Sequence, residues 1–233
     1  MAEELIQIAD SIRAAFTAKS ASRDRAIATS RELIRSCAES IRAIHRQDWD
    51  TVEVKLDLVR EGVADIRRAV SEYPDLYYQG YTQDALKEVV EAFATYAIVR
   101  GHPLPSPQDL DVENDTYLNG LAEAATELRR FILDLLRREE DNSEAAERLL
   151  NYMDAIYDQL ITFDFPDAIT GGLRRHTDIV RGVLERTRGD LTNSVRQRRL
   201  QVALQDYQEN AFREVEALNR SGSLSEQADL PFS

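Results

Sequence analysis

The chain is poor in cysteine, lysine, glycine and proline, and each scarcity narrows what it can be. A single cysteine, Cys37, excludes an intramolecular disulfide and a cysteine-built metal cluster. Cys37 also shares the apolar periodicity of Ile34, Ala38 and Ile41, which places it in a core. Glycines and prolines are few and clustered, so long stretches run without a helix breaker. There is no apolar run of about 18 residues and no charged–apolar–small leader, so neither membrane insertion nor secretion is expected; a soluble, cytoplasmic protein is. A Gly-rich phosphate loop and a nucleophile elbow are both missing. The three histidines, His45, His102 and His176, are not at metal-ligand spacing and read as solvated or locally bonded side chains.

The charge is unusual in kind. Lysine occurs only at Lys19, Lys55 and Lys87, so arginine supplies 26 of the 29 basic residues, against 42 acids and a net charge of −13. An acidic, lysine-poor composition suits a salt-accumulating cell. Net charge is then a poor guide to partners, and local charge says more. Residues 13–46 carry eight basic and three acidic side chains, and residues 171–200 carry eight arginines and three acids. Two arginine-rich segments in an otherwise acidic chain make a phosphate footprint, with Arg23, Arg31, Arg35, Arg174 and Arg175 as candidate nucleic-acid-binding residues. The alternative is that these arginines pair with acids on neighbouring helices.

Helical periodicity runs nearly throughout, with no sustained two-residue alternation. It predicts helices at 3–18, 22–46, 49–71, 75–99, 115–138, 143–162 and 172–206, and a short one at 208–219. The breaks are Pro74, the loop Gly101 to Pro107, and the segment Asp164 to Gly172. No repeat and no composition shift divides the chain. The expectation is all-α, a single helical bundle of about seven helices over 1–220, with a disordered polar tail at 221–233. Leu173, Val180, Val183, Leu184, Thr187, Leu191 and Val195 form a seam on the long helix that suits packing within or between subunits. Tyr73, Tyr77, Tyr78 and Tyr81 cluster ahead of the first acidic pair, for base stacking or for burial with the hydroxyls at the rim, and Trp49 is a helix-start packing residue.

Four glutamates stand out. Glu88 and Glu91 are three apart and Glu123 and Glu127 four apart, each pair opposite its helix's apolar stripe. Residues at those spacings share a helical face, and like charges there cost roughly 0.2–0.5 kcal/mol per pair unless a cation intervenes. Brought together, the two pairs would offer the all-oxygen environment that Mg2+ favours. Acidic pairs are also common on solvated helix faces, and the spacing alone leaves both readings open.

The ordered motifs favour the metal reading. SRDRAIATSRELIRSCAESIRAIHR, YPDLYYQGYTQDALKEVVEAF, LDVENDTYLNGLAEAATELRR and GLRRHTDIVRGVLERTRGDLT together resemble the translin family over nearly the whole chain. The third is the most specific, with a Tyr-Leu-x-Gly lead-in to an Ala-rich acidic helix. A single gene product of this kind is similar to the prokaryotic, chiefly archaeal, members. In that family translin binds single-stranded nucleic acid. Its partner, translin-associated factor X, carries an endoribonuclease site built from a Glu-x-x-Glu and an Asp-x-x-x-Glu that hold Mg2+. The resemblance places Glu88 and Glu91 on the first motif and Glu123 and Glu127 on the second, as catalytic residues and metal ligands; Glu123 stands where the pattern has Asp. It implies a Mg2+-dependent endoribonuclease, with Mn2+ able to substitute, acting on single-stranded RNA or unpaired regions of RNA. A non-catalytic binder of single-stranded RNA or DNA is the alternative. It also implies a hollow homo-oligomer of about six to eight subunits with the acids facing the cavity.

Overall fold

The computed structural model describes residues 2–138 and 142–226, with side chains through residue 216. The described residues are helical with no strand, as the periodicity requires. In chain order the elements are α1 (Ala2–Arg46), α2 (Trp49–Val70), a 3-10 turn (Pro74–Leu76), α3 (Gly80–Arg100), α4 (Asn114–Leu136), α5 (Ser143–Leu160), α6 (Asp167–Thr170) and α7 (Leu173–Glu226). Two compact units divide between Thr187 and Arg188, within α7.

In the first unit α1 and α2 form a hairpin closed by Gln47 and Asp48. Gln47 takes a left-handed φ of 57°, and Asp48 caps α2 by accepting from the Thr51 amide. Ala26, Ser30, Leu33, Cys37, Ser40 and Ile44 are buried along α1, and Val52, Leu56, Val59, Val63, Ile66 and Val70 along α2. Both stripes alternate steps of three and four, which keeps one face on a partner over many turns. Small residues on α1 let α2 and α3 approach it closely. α3 packs on α1 and α4, and α4 on α5, so α3 is the central helix, buried on most of its circumference. Gly101 ends it in the left-handed conformation, φ 71°.

Several boundaries differ from the periodicity, each for a local reason. The helices expected at 3–18 and 22–46 are one, because Lys19, Ser20 and Ala21 contain no breaker. Burial begins only at Ser22, so Leu5, Ile8, Ile12 and Phe16 form an exposed apolar stripe on the first turns. The helix expected from 75 starts at Gly80, because Thr82 Oγ1 and Gln83 Nε2 donate to the Leu76 and Tyr77 carbonyls and fold the preceding residues into the 3-10 turn. The stretch Asp164 to Gly172 contains the short α6, held where Asn119 Nδ2 donates to the Thr170 carbonyl at 2.9 Å.

The two helices expected at 172–206 and 208–219 are also one, running to Glu226 through part of the expected tail; residues 227–233 lie outside the described residues. Within the first unit Leu173, Val180 and Leu184 of the seam are buried. The second unit is the remainder of α7, where Leu200, Leu204, Tyr207, Phe212 and Val215 are exposed. No helix among the described residues is long and apolar enough to cross a membrane.

Candidate metal centre and arginine faces

The acidic helices are pressed together by a missing side chain. At Gly120 of α4 a Cβ would stand 2.6 Å from the Lys87 carbonyl oxygen and 2.6 Å from Val90 Cβ, both on α3. That approach carries Glu123, one turn further along α4, toward Glu88 and Glu91. Each of Glu88, Glu91 and Glu123 offers a carboxylate oxygen, and the three oxygens lie within 4.8 Å of one another. The two helices, joined by the loop 101–113, come this close because Gly120 lets their backbones touch.

The fourth acid is placed differently. Glu127 is outside this trio and meets His45 of α1 through Oε1 and Nε2. The His45 ring is stacked on Phe131 at 4.2 Å between centroids, its side chain is 4% exposed, and its Nδ1 has no hydrogen-bond partner among the described residues. The surroundings also differ from the plain reading of the spacing, in which such pairs lie on a fully solvated helix face. All four acids are half-buried, because α3 is covered on most sides and its acidic edge is enclosed with α1 and α4.

Confinement shows in the electrostatics. Burial, followed by the charges of Glu88, Glu123 and Glu127, pushes the Glu91 pKa up to about 8. Burial and then Glu123 raise that of Glu88. Burial, with help from Glu88 and Glu91, also pushes the Cys37 thiol up, so this cysteine is an inert core residue. Lys87 Nζ sits 2.8 Å from Glu123 Oε1. Burial works against the Lys87 ammonium, but the hydrogen bond to Glu123 and the nearby acids outweigh it and raise its pKa. Glu123 Oε2 is buried and has no hydrogen-bond partner among the described residues. Hard oxygen donors, an orphaned oxygen and a carboxyl that holds its proton because it is buried among other carboxylates fit a divalent cation such as Mg2+.

The candidate arginines lie on open surface. Arg23, Arg31 and Arg35 are exposed on α1, and Arg174 and Arg175 are exposed on the first turn of α7, after Gly171 and Gly172 with φ of 59° and 82°. Arg23 pairs with Asp24 at 3.3 Å, whereas Arg31, Arg35, Arg174 and Arg175 make no ion pair among the described residues. None of these arginines forms an ion pair with the acidic trio among the described residues. The tyrosines divide too: Tyr77 is buried under the Arg67 guanidinium, whose carbon is 4.1 Å from the ring centroid, and Tyr78 is exposed. Trp49 packs under Arg100 and beside Tyr96.

Sequence reasoning missed His45 and Lys87. His45 follows the buried Ile44 on the α1 stripe, a register that could have marked it as inward-facing. Lys87 could have been marked by rarity, a lysine beside Glu88 in a chain that otherwise uses arginine.

No family model matches the chain. It is 33% identical over 192 residues to an uncharacterized protein of Methanocaldococcus jannaschii, covering 82% of this chain and 84% of that one. Among solved structures it is similar to AfC3PO, both alone and in a complex with duplex RNA, with 33% identity, a TM-score of 0.74, and coverage of 81% of this chain and 97% of that one. This chain belongs to the translin family. The apo structure of NeC3PO, at 20% identity and a TM-score of 0.70 over 79% of this chain and 96% of that one, shares the fold. Within the translin fold the acidic trio spans the central helix α3 and its neighbour α4.

Proposed function

We propose that this translin-family chain is a Mg2+-dependent endoribonuclease, cleaving single-stranded RNA or unpaired regions of RNA. The observation that carries the reading is the trio of Glu88, Glu91 and Glu123, whose oxygens converge within 4.8 Å in a half-buried setting. The likeness to AfC3PO, which has been seen with duplex RNA, supports RNA as the ligand. Glu88, Glu91 and Glu123 would hold Mg2+, or Mn2+ in its place. When bound, the metal would supply Lewis acidity toward a phosphate oxygen and acidify a water. Glu127, held by His45, is near enough for its charge to act on Glu91, and would serve as an acceptor for a water at the site. Arg174 and Arg175 would grip the phosphate backbone, with Arg23, Arg31 and Arg35 as a second face. The exposed apolar residues of α1 and α7 support self-association, and the closed homo-oligomer of about six to eight copies is what the family resemblance implies.

A second reading, a non-catalytic binder of single-stranded RNA or DNA, is favoured by one observation. Lys87 and His45 already partner two of the four acids without a metal. End-labelled single-stranded and duplex RNA, incubated with wild type and Glu123→Gln in Mg2+ or in EDTA, separates the two. The nuclease reading requires cleavage by wild type in Mg2+ alone and none by Glu123→Gln at similar thermal stability. Binding without metal-dependent cleavage establishes the second reading.

A further inference from the structure

Two of the three lysines are partly exposed and paired away from the trio, Lys19 with Asp75 and Lys55 with Glu39. Lys87 is enclosed. Its side chain is 20% exposed and bridges α3 to α4, with Nζ 2.8 Å from Glu123 Oε1, while Glu123 Oε2 is left buried and without a partner among the described residues. The ammonium also works on Glu88 and Glu91, against the rise that burial and the neighbouring carboxylates cause. Three carboxylates at this distance repel one another unless a positive charge is near. Lys87 supplies that charge from within the chain.

We infer that Lys87 is the built-in counter-ion of the acidic trio, filling in the metal-free protein the electrostatic role that a divalent cation takes over, and thereby setting how tightly the site binds metal. The inference rests on the metal reading given above. A divalent ion arriving at the trio meets the ammonium as a like charge, so metal and lysine compete for Glu123. Removal of Lys87 then strengthens metal binding and loosens the metal-free protein. A residue that only orients Glu123 as a ligand has the opposite sign, since loss of such outer support weakens metal affinity. The direction of change therefore separates the two roles.

The test is Mn2+ binding by the full chain, followed by loss of the free-ion paramagnetic resonance signal, for wild type, Lys87→Met, Lys87→Gln and Lys87→Arg. Thermal unfolding of each is recorded in EDTA and in Mn2+. Lys87→Met and Lys87→Gln are expected to bind Mn2+ roughly tenfold more tightly, from loss of a like charge at short range. They are also expected to melt lower than wild type in EDTA, with a wider gap between the EDTA and Mn2+ midpoints. Lys87→Arg should stay near wild type. A measurement on wild type alone covers the case in which the variants do not fold: acetic anhydride labelling, read by mass spectrometry. The Lys87 peptide should be protected in EDTA and labelled in Mn2+, with Lys19 and Lys55 unchanged between the two conditions. Mn2+ binding by the variants that equals or falls below wild type overturns the inference and leaves the metal site standing, as does Lys87 labelling indifferent to Mn2+. If neither wild type nor variants take up Mn2+, the metal reading falls and the inference with it.

Discussion

Gly120 of α4 rests against the Lys87 carbonyl of α3, at a separation that a Cβ would reduce to 2.6 Å. This contact sets the distance between the two acidic helices. An alanine there meets backbone oxygen and Val90 Cβ, and neither can move aside without shifting a helix. Gly120→Ala should therefore destabilise by about 1–3 kcal/mol from overpacking, even though alanine is the better helix former. Urea unfolding checks it. A variant as stable as wild type would mean that the helices separate freely, and the site would not depend on this approach.

Glu91 gives the metal-free protein a pH dependence of definite sign. The unfolded chain loses this proton in the ordinary carboxylate range, near 4.3. The folded protein keeps it up to about 8. Between those limits the folded state binds more protons, so the Glu91 contribution to stability falls as pH rises and is fully unfavourable above about 8. In EDTA, Glu91→Gln should gain on wild type steadily across that window and level off beyond it. Unfolding midpoints at a series of pH values would show a constant offset if Glu91 were not responsible.

The same proton must leave before the carboxylate can ligate, so metal uptake should strengthen with pH. Mn2+ affinity is expected to rise between about pH 6 and 8, with proton release on binding. Calorimetry in two buffers of different ionisation enthalpy measures that release. Affinity independent of pH would remove Glu91 from the ligand set.

His45 ties α1 to α4 by its contact with Glu127 and its stacking on Phe131. His45→Ala empties a buried ring site and leaves Glu127 without its partner, so a loss of about 2–4 kcal/mol is expected. His45→Gln restores a donor toward Glu127 and should recover part of it. Thermal and urea unfolding of the two variants provide the comparison, and equal losses would assign the whole effect to packing.

Binding should separate from cleavage. Arg174 and Arg175 are exposed and without ion pairs among the described residues. The double variant Arg174→Ala, Arg175→Ala should bind RNA more weakly across sequences, with a salt slope smaller by about one unit per lost phosphate contact. Filter binding at several salt concentrations checks this. Unaltered affinity and slope in a normally assembled variant would move the phosphate footprint to Arg23, Arg31 and Arg35.

Much of the fold was legible in local pattern. The stripes Val52 to Val70 and Leu33 to Ile44 follow helical spacing, and Gly101 marks the end of α3 as its conformational freedom allows. The joins at Lys19–Ala21 and near residue 207 were not legible, because a change of hydrophobic face looks like a break while the backbone has no reason to stop.

By itself the sequence determined which residues could share a helix face, and so paired Glu88 with Glu91 and Glu123 with Glu127 at fixed spacing. Its ordered motifs also pointed to the translin family. Only the tertiary structure decided which acids meet across helices. It joined Glu123 to Glu88 and Glu91, turned Glu127 toward His45, and set Lys87 on Glu123. Spacing along one helix follows from backbone geometry that every sequence shares. Contact between helices depends on how closely two backbones approach, and here Gly120 against Lys87 sets that distance.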